Sequence, residues 1–213
     1  MLLCLVGPAG GGKTTLRARL LADFPAEVTA SISVTTRAPR AGEVHGKNYF
    51  FVSREEFLAK KDRGEFYESE EVHGNMYGTL RATLDDAIAR GVDLLLDIDI
   101  RGALRFRRDY PNHAVLVFLV PPSTRALVER LRSRAPVSEA ELETRLNTAS
   151  AEYAALLAGM ADRSQVDYFL VNDEIEATYG ALKAIRLAES CRLVRLERGG
   201  VERFCVVSRE EVK

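Results

Sequence analysis

Residues 2–14 of the chain, LLCLVGPAGGGKT, decide its fold. The first five are a short apolar run, which is typical of a strand buried on both faces of a parallel sheet. The following eight match the pattern G-x-x-x-x-G-K-S/T without a gap. In such a loop the backbone N–H groups point inward at phosphate oxygens, and the helix that follows adds the positive end of its dipole. The stretch therefore predicts a strand, a phosphate-binding turn and a helix in direct succession.

The loop is expected to hold the phosphates of a nucleotide. Lys13 is expected to reach the β- and γ-phosphates, and the Thr14 hydroxyl to bind Mg²⁺. A dinucleotide fold is disfavoured because the spacing G-x-G-x-x-G does not occur here. A GTPase or a motor ATPase uses the same loop, so the reaction must be read from other residues. The predicted nucleotide-binding residues of the loop are Gly7, Pro8, Ala9, Gly10, Gly11, Gly12, Lys13, Thr14 and Thr15.

Composition excludes several classes of protein. At ~150 residues per domain, the 213 residues are expected to form one compact domain. Because 30 Lys and Arg balance 31 Asp and Glu, a basic nucleic-acid binder is not expected. The apolar start is too short for a signal peptide, and no apolar run approaches the ~18 residues of a membrane span. Three scattered cysteines without a C-x-x-C pair favour neither disulfides nor zinc, and indicate a cytoplasmic protein.

Strand-like and helix-like patterns alternate along the rest of the chain. This alternation predicts an α/β fold, a parallel sheet with helices on both faces. Thr79, Ser123 and Ser138 stand where helix N-caps are expected, the last in a capping box with Glu141. The predicted strands are 2–6, 28–34, 92–100, 114–120 and 168–171, and a hairpin is possible within 192–207. The predicted helices are 13–23, 80–91, one that follows Ser123, one from 138 to about 156, and one from about 175 to 185.

Residues 37–78 have a different character, with frequent glycines between short β-type runs. We interpret them as an inserted lobe rich in hairpins. Arg37 and Arg40 lie just beyond the second predicted strand, near the carboxyl edge where α/β sheets bind ligands. Paired guanidinium groups match a phosphate monoester in geometry and charge. The lobe therefore predicts a second phosphorylated ligand.

Seven motifs in one order give the chain a specific resemblance. Besides the loop at 7–14, the chain carries S-x-T-T-R-x-P-R-x-G-E at 33–43, G-x-x-Y-x-F-V at 46–52, E-F-x-E at 65–68, G-x-x-Y-G-T at 74–79, D-x-D at 97–99 and V-N-D at 171–173. With these motifs the chain resembles guanylate kinases up to about residue 187. The resemblance implies a P-loop kinase core, a GMP-binding lobe and a helical lid, with ATP, GMP and Mg²⁺ as ligands.

The resemblance also implies which residues bind GMP. Arg37, Arg40, Tyr49 and Tyr77 are then expected to hold the phosphate, and Ser33, Glu68 and Thr79 to read the base. One carboxylate can accept from both N1–H and N2–H₂ of guanine, whereas adenine offers no such pair of donors. Two alternatives stay open: Glu68 belongs to a solvated acidic face with Glu65, Glu70 and Glu71, and Thr79 is an N-cap, which is compatible with base reading.

Two carboxylates close the predicted strand 92–100. Asp97 and Asp99 would be costly at the end of a buried strand unless they meet a cation or a donor. By the resemblance Asp99 is expected near the nucleoside, and Asp97 is expected to contact Mg²⁺ through water. The alternative is a structural N-cap or a salt bridge.

The resemblance implies three further arginines and one asparagine at the ATP side. Arg130 and Arg134 lie four residues apart on one helix face, and Arg145 follows on the next helix. They are the predicted lid arginines, which act in catalysis with Lys13 and Arg37; the alternative is that they are surface groups paired with Glu129 and Glu139. Asn172 matches the family's adenine-side residue.

The expected organisation is a core of 1–32 and 80–187, a GMP-binding lobe of 33–79, a lid of 123–147 within the core, and a tail of 188–213. The expected activity is transfer of the γ-phosphoryl of ATP to GMP, without nucleic-acid or membrane partners. Two alternatives remain: a P-loop kinase for another phosphorylated acceptor, and a binding module that resembles a guanylate kinase. Whether the chain is a monomer or a homo-oligomer is undecided.

Overall fold

Strands and helices alternate along the described part of the chain. The computed structural model describes residues 1–40, 42–72, 74–134, 137–160 and 166–195. In these residues the strands are β1 (Leu2–Val6), β2 (Val28–Ala30), β3 (Val34–Thr35), β4 (Phe50–Phe51), β5 (Phe66–Val72), β6 (Asn75–Leu80), β7 (Asp93–Asp97), β8 (Ala114–Val120) and β9 (Tyr168–Val171). The helices are α1 (Lys13–Asp23), α2 (Arg54–Asp62), α3 (Arg81–Ala89), α4 (Ile100–Asp109), α5 (Thr124–Arg134), α6 (Glu139–Met160) and α7 (Ile175–Ser190).

The larger sheet is five-stranded, in the order β2-β7-β1-β8-β9. All four of its strand pairs are parallel. β1 is the central strand and is buried along its whole length. The parallel α/β fold expected from the sequence is therefore confirmed.

Helices cover both faces of this sheet. Because side chains alternate along β1, Cys4 packs on the face that contains Phe106 of α4, and Leu5 packs on the face that contains Leu16 and Leu182. All five side chains are fully buried or nearly so. Burial also raises the pKa of the Cys4 thiol, so this group is an inert part of the core.

The smaller sheet has its own apolar cluster. Its strand order is β4-β3-β6-β5, with β5 and β6 forming an antiparallel hairpin. Phe57 of α2 stacks on Phe66 with 4.4 Å between ring centroids, and Val34 and Met76 complete the buried cluster. The hairpin agrees with the prediction for this region, but α2 was not predicted.

The prediction of one strand over 28–34 is wrong. β2 ends at Ala30 and pairs with β7, whereas β3 begins at Val34 and belongs to the smaller sheet. Between them the Ser31 N–H donates to the Leu95 carbonyl of one sheet, and the Ser33 carbonyl accepts from Phe50 of the other. The apolar alternation continues while the chain crosses from one sheet to the other.

The predicted strand over 92–100 is also too long. β7 ends at Asp97, and α4, which was not predicted, begins at Ile100. Asp99 is the N-cap of α4, and its side chain accepts a hydrogen bond from the Gly102 N–H at 2.8 Å. The structural alternative for Asp99 therefore holds, because a cap at this position turns the chain out of the strand.

The N-cap predicted at Thr79 is wrong as well. Leu80 is the N-cap of α3 and makes no side-chain capping bond, while Thr79 is a buried residue of β6. The Thr79 hydroxyl instead donates across the hairpin to the Glu68 carboxylate at 2.7 Å.

The other helix starts agree with the sequence. The Ser123 and Ser138 hydroxyls accept from the N–H groups of Ala126 and Glu141. In the predicted hairpin over 192–207, Leu193–Arg195 form a short 3-10 turn, and residues 196–207 lie outside the described part. Among the helices that the structure describes, we find none that is both long and apolar enough to cross a membrane.

Candidate active site

The phosphate-binding turn leaves the carboxyl end of β1. Gly7 and Gly12 have φ values of 123° and 101°, a region that favours glycine. A Cβ on Gly7 would overlap the Leu119 carbonyl of β8, and a Cβ on Gly12 would overlap the side-chain amide of Asn172. Both glycines are therefore required by the backbone conformation and by the close packing of the turn on β8 and on the segment after β9.

Lys13 folds over the turn that precedes it. Its ammonium group donates to the carbonyl of Gly7, and to that of Pro8 at 3.2 Å. Thr14 and Thr15 are exposed in the first turn of α1. The structure thus places a positive charge and two hydroxyls at the mouth of the loop.

Asn172 joins the turn to the sheet and to the predicted lid. Its Nδ2 donates to the Gly11 carbonyl at 2.9 Å, and its backbone N–H donates to the Val120 carbonyl at 2.7 Å. Its own carbonyl accepts from Arg130 Nη2 at 2.9 Å. Within the described residues the buried Asn172 Oδ1 makes no hydrogen bond, so one acceptor remains available beside the loop.

A cationic cluster lies at the other end of the site. Arg37 makes a two-pronged ion pair with Glu43, with both distances 2.9 Å. Its guanidinium also lies over the ring of Tyr49, 5.5 Å from the centroid. The Tyr49 and Tyr77 rings are in edge contact at 6.1 Å, which brings three of the four predicted phosphate ligands together. The fourth, Arg40, has an exposed side chain, and its backbone N–H donates to Glu43.

Glu43 was not predicted as a site residue. Its carboxylate holds Arg37 and accepts from the backbone of Arg40, and these contacts lower its pKa against the opposing effect of burial. Its place in the motif at 33–43 was the available signal. Ser33 lies in the same crossing segment, where its carbonyl is bonded to Phe50.

Glu68 is directed inward, and the interpretation as a solvated face is wrong for it. Glu65 and Glu71 make that exposed face, through ion pairs with Lys60 at 2.8 Å and Arg54 at 3.4 Å. Burial raises the pKa of Glu68, while the Thr79 hydroxyl, 2.7 Å away, acts in the opposite direction. The structure therefore presents a desolvated carboxylate with one oxygen already fixed.

Asp97 and Asp99 diverge although they are two residues apart. Asp97 is exposed at the end of β7, where its partner in the β1 register is Leu5. This position is next to the phosphate-binding turn. Asp99 is directed towards α4 and lies close to Glu68, since both approach the position that a Cβ of Gly102 would take.

A partly buried carboxylate that the sequence did not reveal lies near Lys13, Asp97 and Asp99. Burial raises the pKa of Glu152 on α6; the Lys13 charge opposes this effect, and those of Asp99 and Asp97 add to it. Its Oε2 is buried without a hydrogen bond in the described residues. Glu152 lies seven residues after Arg145, two turns along the same helix face, which was the available signal. The Glu152 carboxylate is therefore within electrostatic reach of the loop lysine and of Asp97 and Asp99.

The predicted lid arginines have three different outcomes. Arg130 bonds to Asn172, and its Nη1 is buried without a partner in the described residues. Arg145 pairs with Glu141 on its own helix. The Arg134 side chain lies outside the described part of the structure. The predicted alternative pairing with Glu129 and Glu139 does not occur for Arg130 or Arg145, because Arg125 and Arg132 bind these acids, each at 2.9 Å.

Fold and site together define a P-loop kinase of the nucleotide kinase type. Its turn for phosphates follows β1 of the larger, parallel sheet, and its cationic cluster belongs to the smaller sheet. A sequence model described as guanylate kinase matches residues 1–189. The chain belongs to the guanylate kinase family.

Individual relatives agree over most of their length. The chain is 41% identical to the guanylate kinase of Geobacter metallireducens over 204 residues, which cover 96% of each protein. It is 42% identical to that of Desulfitobacterium hafniense, covering 92% of this chain and 93% of the relative. The chain also matches the crystal structure of the guanylate kinase of Anaplasma phagocytophilum at 37% identity and a TM-score of 0.72. The matched region covers 92% of this chain and 88% of that protein's chain. The resemblance drawn from the motifs is confirmed.

Proposed function

We propose that this protein transfers the γ-phosphoryl group of ATP to GMP and so produces ADP and GDP. One observation carries the proposal. The half-buried Glu68 carboxylate and the Arg37–Tyr49–Tyr77 cluster lie on the lobe. The Asp97 charge acts on Tyr49 of the lobe and on Glu152, and the Lys13 charge of the loop also acts on Glu152. This reaction needs three parts: a residue that recognises the base, a site that binds a phosphate monoester, and a loop that binds the triphosphate.

On the donor side we assign ATP to the turn and its surroundings. The backbone N–H groups bind the phosphates, and Lys13 stabilises the charge that develops between the β- and γ-phosphates. The unpaired Asn172 Oδ1 is an acceptor that suits the exocyclic amino group of adenine. The full donor set is Gly7, Pro8, Ala9, Gly10, Gly11, Gly12, Lys13, Thr14, Thr15 and Asn172.

The oxygen donors beside the loop fit Mg²⁺. The described residues hold no group of three or more His, Cys, Asp or Glu side chains arranged for a metal. Mg²⁺ characteristically takes one or two protein oxygens and completes its shell with phosphates and water. We assign the Thr14 hydroxyl as a ligand and the Asp97 carboxylate as a contact through water. Bound there, Mg²⁺ neutralises charge on the transferring phosphates.

On the acceptor side the residues divide into two sets. Arg37, Arg40, Tyr49 and Tyr77 bind the phosphate of GMP, and Glu43 keeps Arg37 in place. Ser33, Glu68, Thr79 and Asp99 surround the nucleoside. Glu68 accepts from the guanine N1–H and N2–H₂ donors, and the Thr79 hydroxyl fixes the orientation of that carboxylate.

Positioning and charge neutralisation account for the chemistry. The acceptor phosphate of GMP is already anionic at neutral pH, so the site needs no strong general base. Lys13 and Arg37 act from the two fixed sides, and Arg130, Arg134 and Arg145 act from the lid. Closure of the lid excludes water from the transferring group and suppresses hydrolysis of ATP.

We further propose the division of the chain that the sequence predicts. The core comprises 1–32 and 80–187, the GMP-binding lobe 33–79, and the lid 123–147. A separate apolar cluster in the lobe supports this division. The tail of 188–213 has no assigned role. We place the protein in the cytoplasm, where its two substrates and reduced cysteines are found.

A panel of acceptors tests the function. ADP release is measured with ATP and Mg²⁺, and with GMP, AMP, CMP or UMP as acceptor. We expect turnover with GMP, and kcat/KM for AMP lower by orders of magnitude because Glu68 is left without donors. Equal activity with AMP would contradict the proposal.

The substitution Glu68→Gln sharpens this test. The Gln amide opposes a guanine donor with its own N–H, so we expect kcat/KM for GMP to fall by about 100-fold. Glu71→Gln is the matched control, since Glu71 lies on the same strand and pairs with Arg54 at the surface. An unchanged GMP preference in the first variant would favour a kinase for another phosphorylated acceptor.

A further inference from the structure

Three carboxyl groups meet at the N-terminus of α4. Glu68 and Glu70 are alternate residues of β5, so their side chains leave the same face of the strand. They line a pocket of about 250 Å³ together with Gly102, Arg101 and Arg105. Asp99 enters from the N-cap of α4, 2.8 Å from the Gly102 N–H.

The missing side chain of Gly102 makes this meeting possible. The position that a Cβ would take on Gly102 is 3.0 Å from Asp99 Oδ1 and 3.7 Å from Glu68 Oε2. A larger residue would therefore separate the carboxyl groups. Asp99 Oδ1 is bonded to the helix backbone, which leaves Oδ2 for other partners.

Glu70 is that other partner. Glu70 lines the same pocket as Gly102, against which the Asp99 carboxylate lies. Hydrogen bonding to Asp99, followed by burial and by the charge of Asp99, raises the pKa of Glu70 to about 7. The charged groups that face Glu70 are Asp99 and Arg101 across the pocket and Glu68 on its own strand; Arg101 is 3.8 Å away and largely exposed. A hydrogen bond between two carboxyl groups requires that one of them carries a proton.

The donors of guanine point in more directions than the Glu68 carboxylate alone can face. The N1–H and the amino group on C2 offer three N–H donors on one edge, and Glu68 Oε1 already accepts from Thr79. Glu68 can take N1–H and one amino hydrogen, and the second amino hydrogen needs another acceptor nearby. Each carboxylate oxygen carries two lone pairs, so Asp99 can accept from Glu70 and from a ligand at the same time.

We propose that Glu70 is a positioning residue for recognition of the guanine amino group: by donating a hydrogen bond to Asp99 it holds that carboxylate where the second amino hydrogen is accepted. The inference rests on the proposed function. It extends base recognition from Glu68 to a chain of groups that runs from Thr79 through Glu68 to Asp99 and Glu70. The acidic run at 68–71 therefore divides into inward and surface residues.

Inosine monophosphate isolates the amino group, because it has the same N1–H but no amino group on C2. In the full chain, kcat/KM is measured for GMP and for IMP with ATP and Mg²⁺. For Glu70→Ala we expect kcat/KM for GMP to fall about 10-fold, mainly through KM, as for one lost hydrogen bond. We expect the value for IMP and the KM for ATP to stay within about 2-fold. The ratio of GMP to IMP therefore falls.

Glu70→Gln is the rescue variant, since its amide N–H can also donate to Asp99. We expect it to keep the ratio of GMP to IMP within about 2-fold of the original chain. Glu71→Ala is the matched control on the same strand and is also expected to keep the ratio. If Glu70→Ala does not fold, Glu70→Thr provides the same test with a side chain that suits a strand.

Failure of the inference and failure of the function have different signatures. A ratio that is unchanged in Glu70→Ala, or that falls equally in Glu70→Gln, overturns the role of Glu70 while the kinase activity stands. An original chain that does not phosphorylate GMP overturns the proposed function itself.

Discussion

At the scale of single residues, recognition depends on which of several similar carboxylates is directed inward. The sequence predicts Glu68 through its motif, but treats Glu70 as one of a solvated group. Strand alternation alone places Glu70 on the face of Glu68. The partner that gives Glu70 its role, Asp99, was not predictable at that position because α4 was not recognised.

Lys13 carries the first prediction at this scale. The substitution Lys13→Met removes a charge that acts on the transferring phosphoryl group, so we expect turnover to fall at least ~100-fold. GMP binding is expected to persist, because the Arg37 cluster belongs to the other half of the site. Steady-state ADP release and calorimetric titration with GMP measure the two effects. Loss of GMP binding in this variant would contradict a site with two separate halves.

At the scale of elements, caps explain both the successes and the failures of prediction. The Ser123 and Ser138 caps were read correctly because each follows a break in the apolar pattern. The same chemistry was overlooked at Ser53 and was only the alternative interpretation at Asp99, since the flanking residues continue a strand-like pattern. In both places the cap starts a helix within about two residues of a strand, closer than hydrophobic periodicity can resolve.

The capping box of α2 gives an element-scale prediction. The Ser53 hydroxyl accepts from the Glu56 N–H at 3.1 Å, and the Glu56 carboxylate accepts from the Ser53 N–H at 3.0 Å. For Ser53→Ala we expect the free energy of unfolding to fall by about 1 kcal/mol. Urea denaturation followed by circular dichroism measures it. Ser190→Ala, at the exposed end of α7, is the control and is expected to change it by less than about 0.5 kcal/mol. Equal effects in both variants would show that the box contributes nothing.

At the scale of the whole molecule, the buried apolar residues of the described part form four clusters: one on each face of the larger sheet, one between α5 and α6, and one in the lobe. The parallel sheet could be predicted because β1 and β8 are continuous apolar runs, whereas the lobe could not be drawn in detail because β3 and β4 have only two residues each. Tyr67 connects the two parts: its ring packs on Phe106, and its hydroxyl donates to Asp109 at 2.7 Å.

Removing the centre of the lobe cluster tests whether the two parts are energetically separate. Phe57 is fully buried, and Phe57→Ala is expected to cost about 3–5 kcal/mol of lobe stability. We expect KM for GMP to rise more than ~10-fold while the affinity for ATP is retained. The reason is that the phosphate-binding turn lies between β1 and α1, which pack in the clusters of the larger sheet. Kinetics and nucleotide titration make the comparison. Equal loss of both affinities would indicate a single cooperative unit.

The dependence of stability on pH is a property of the whole molecule as well. The pKa of Glu70 rises from 4.5 to about 7 on folding, so between these values the folded chain holds more protons than the unfolded chain. This contribution to stability is complete below the lower value and is lost as the pH rises through the upper one. Glu70→Gln is therefore expected to flatten the decline in stability between pH 5 and 7.5, as measured by urea denaturation in that range. An unchanged slope would contradict the shift.

The position of β1 has a mechanical consequence. Since this strand is hydrogen-bonded on both sides in the middle of the larger sheet, the turn that follows it starts from a strand that is held by two neighbours. We therefore do not expect the turn itself to bend towards the nucleotide when it binds. We expect the lobe and the lid to move towards the turn instead.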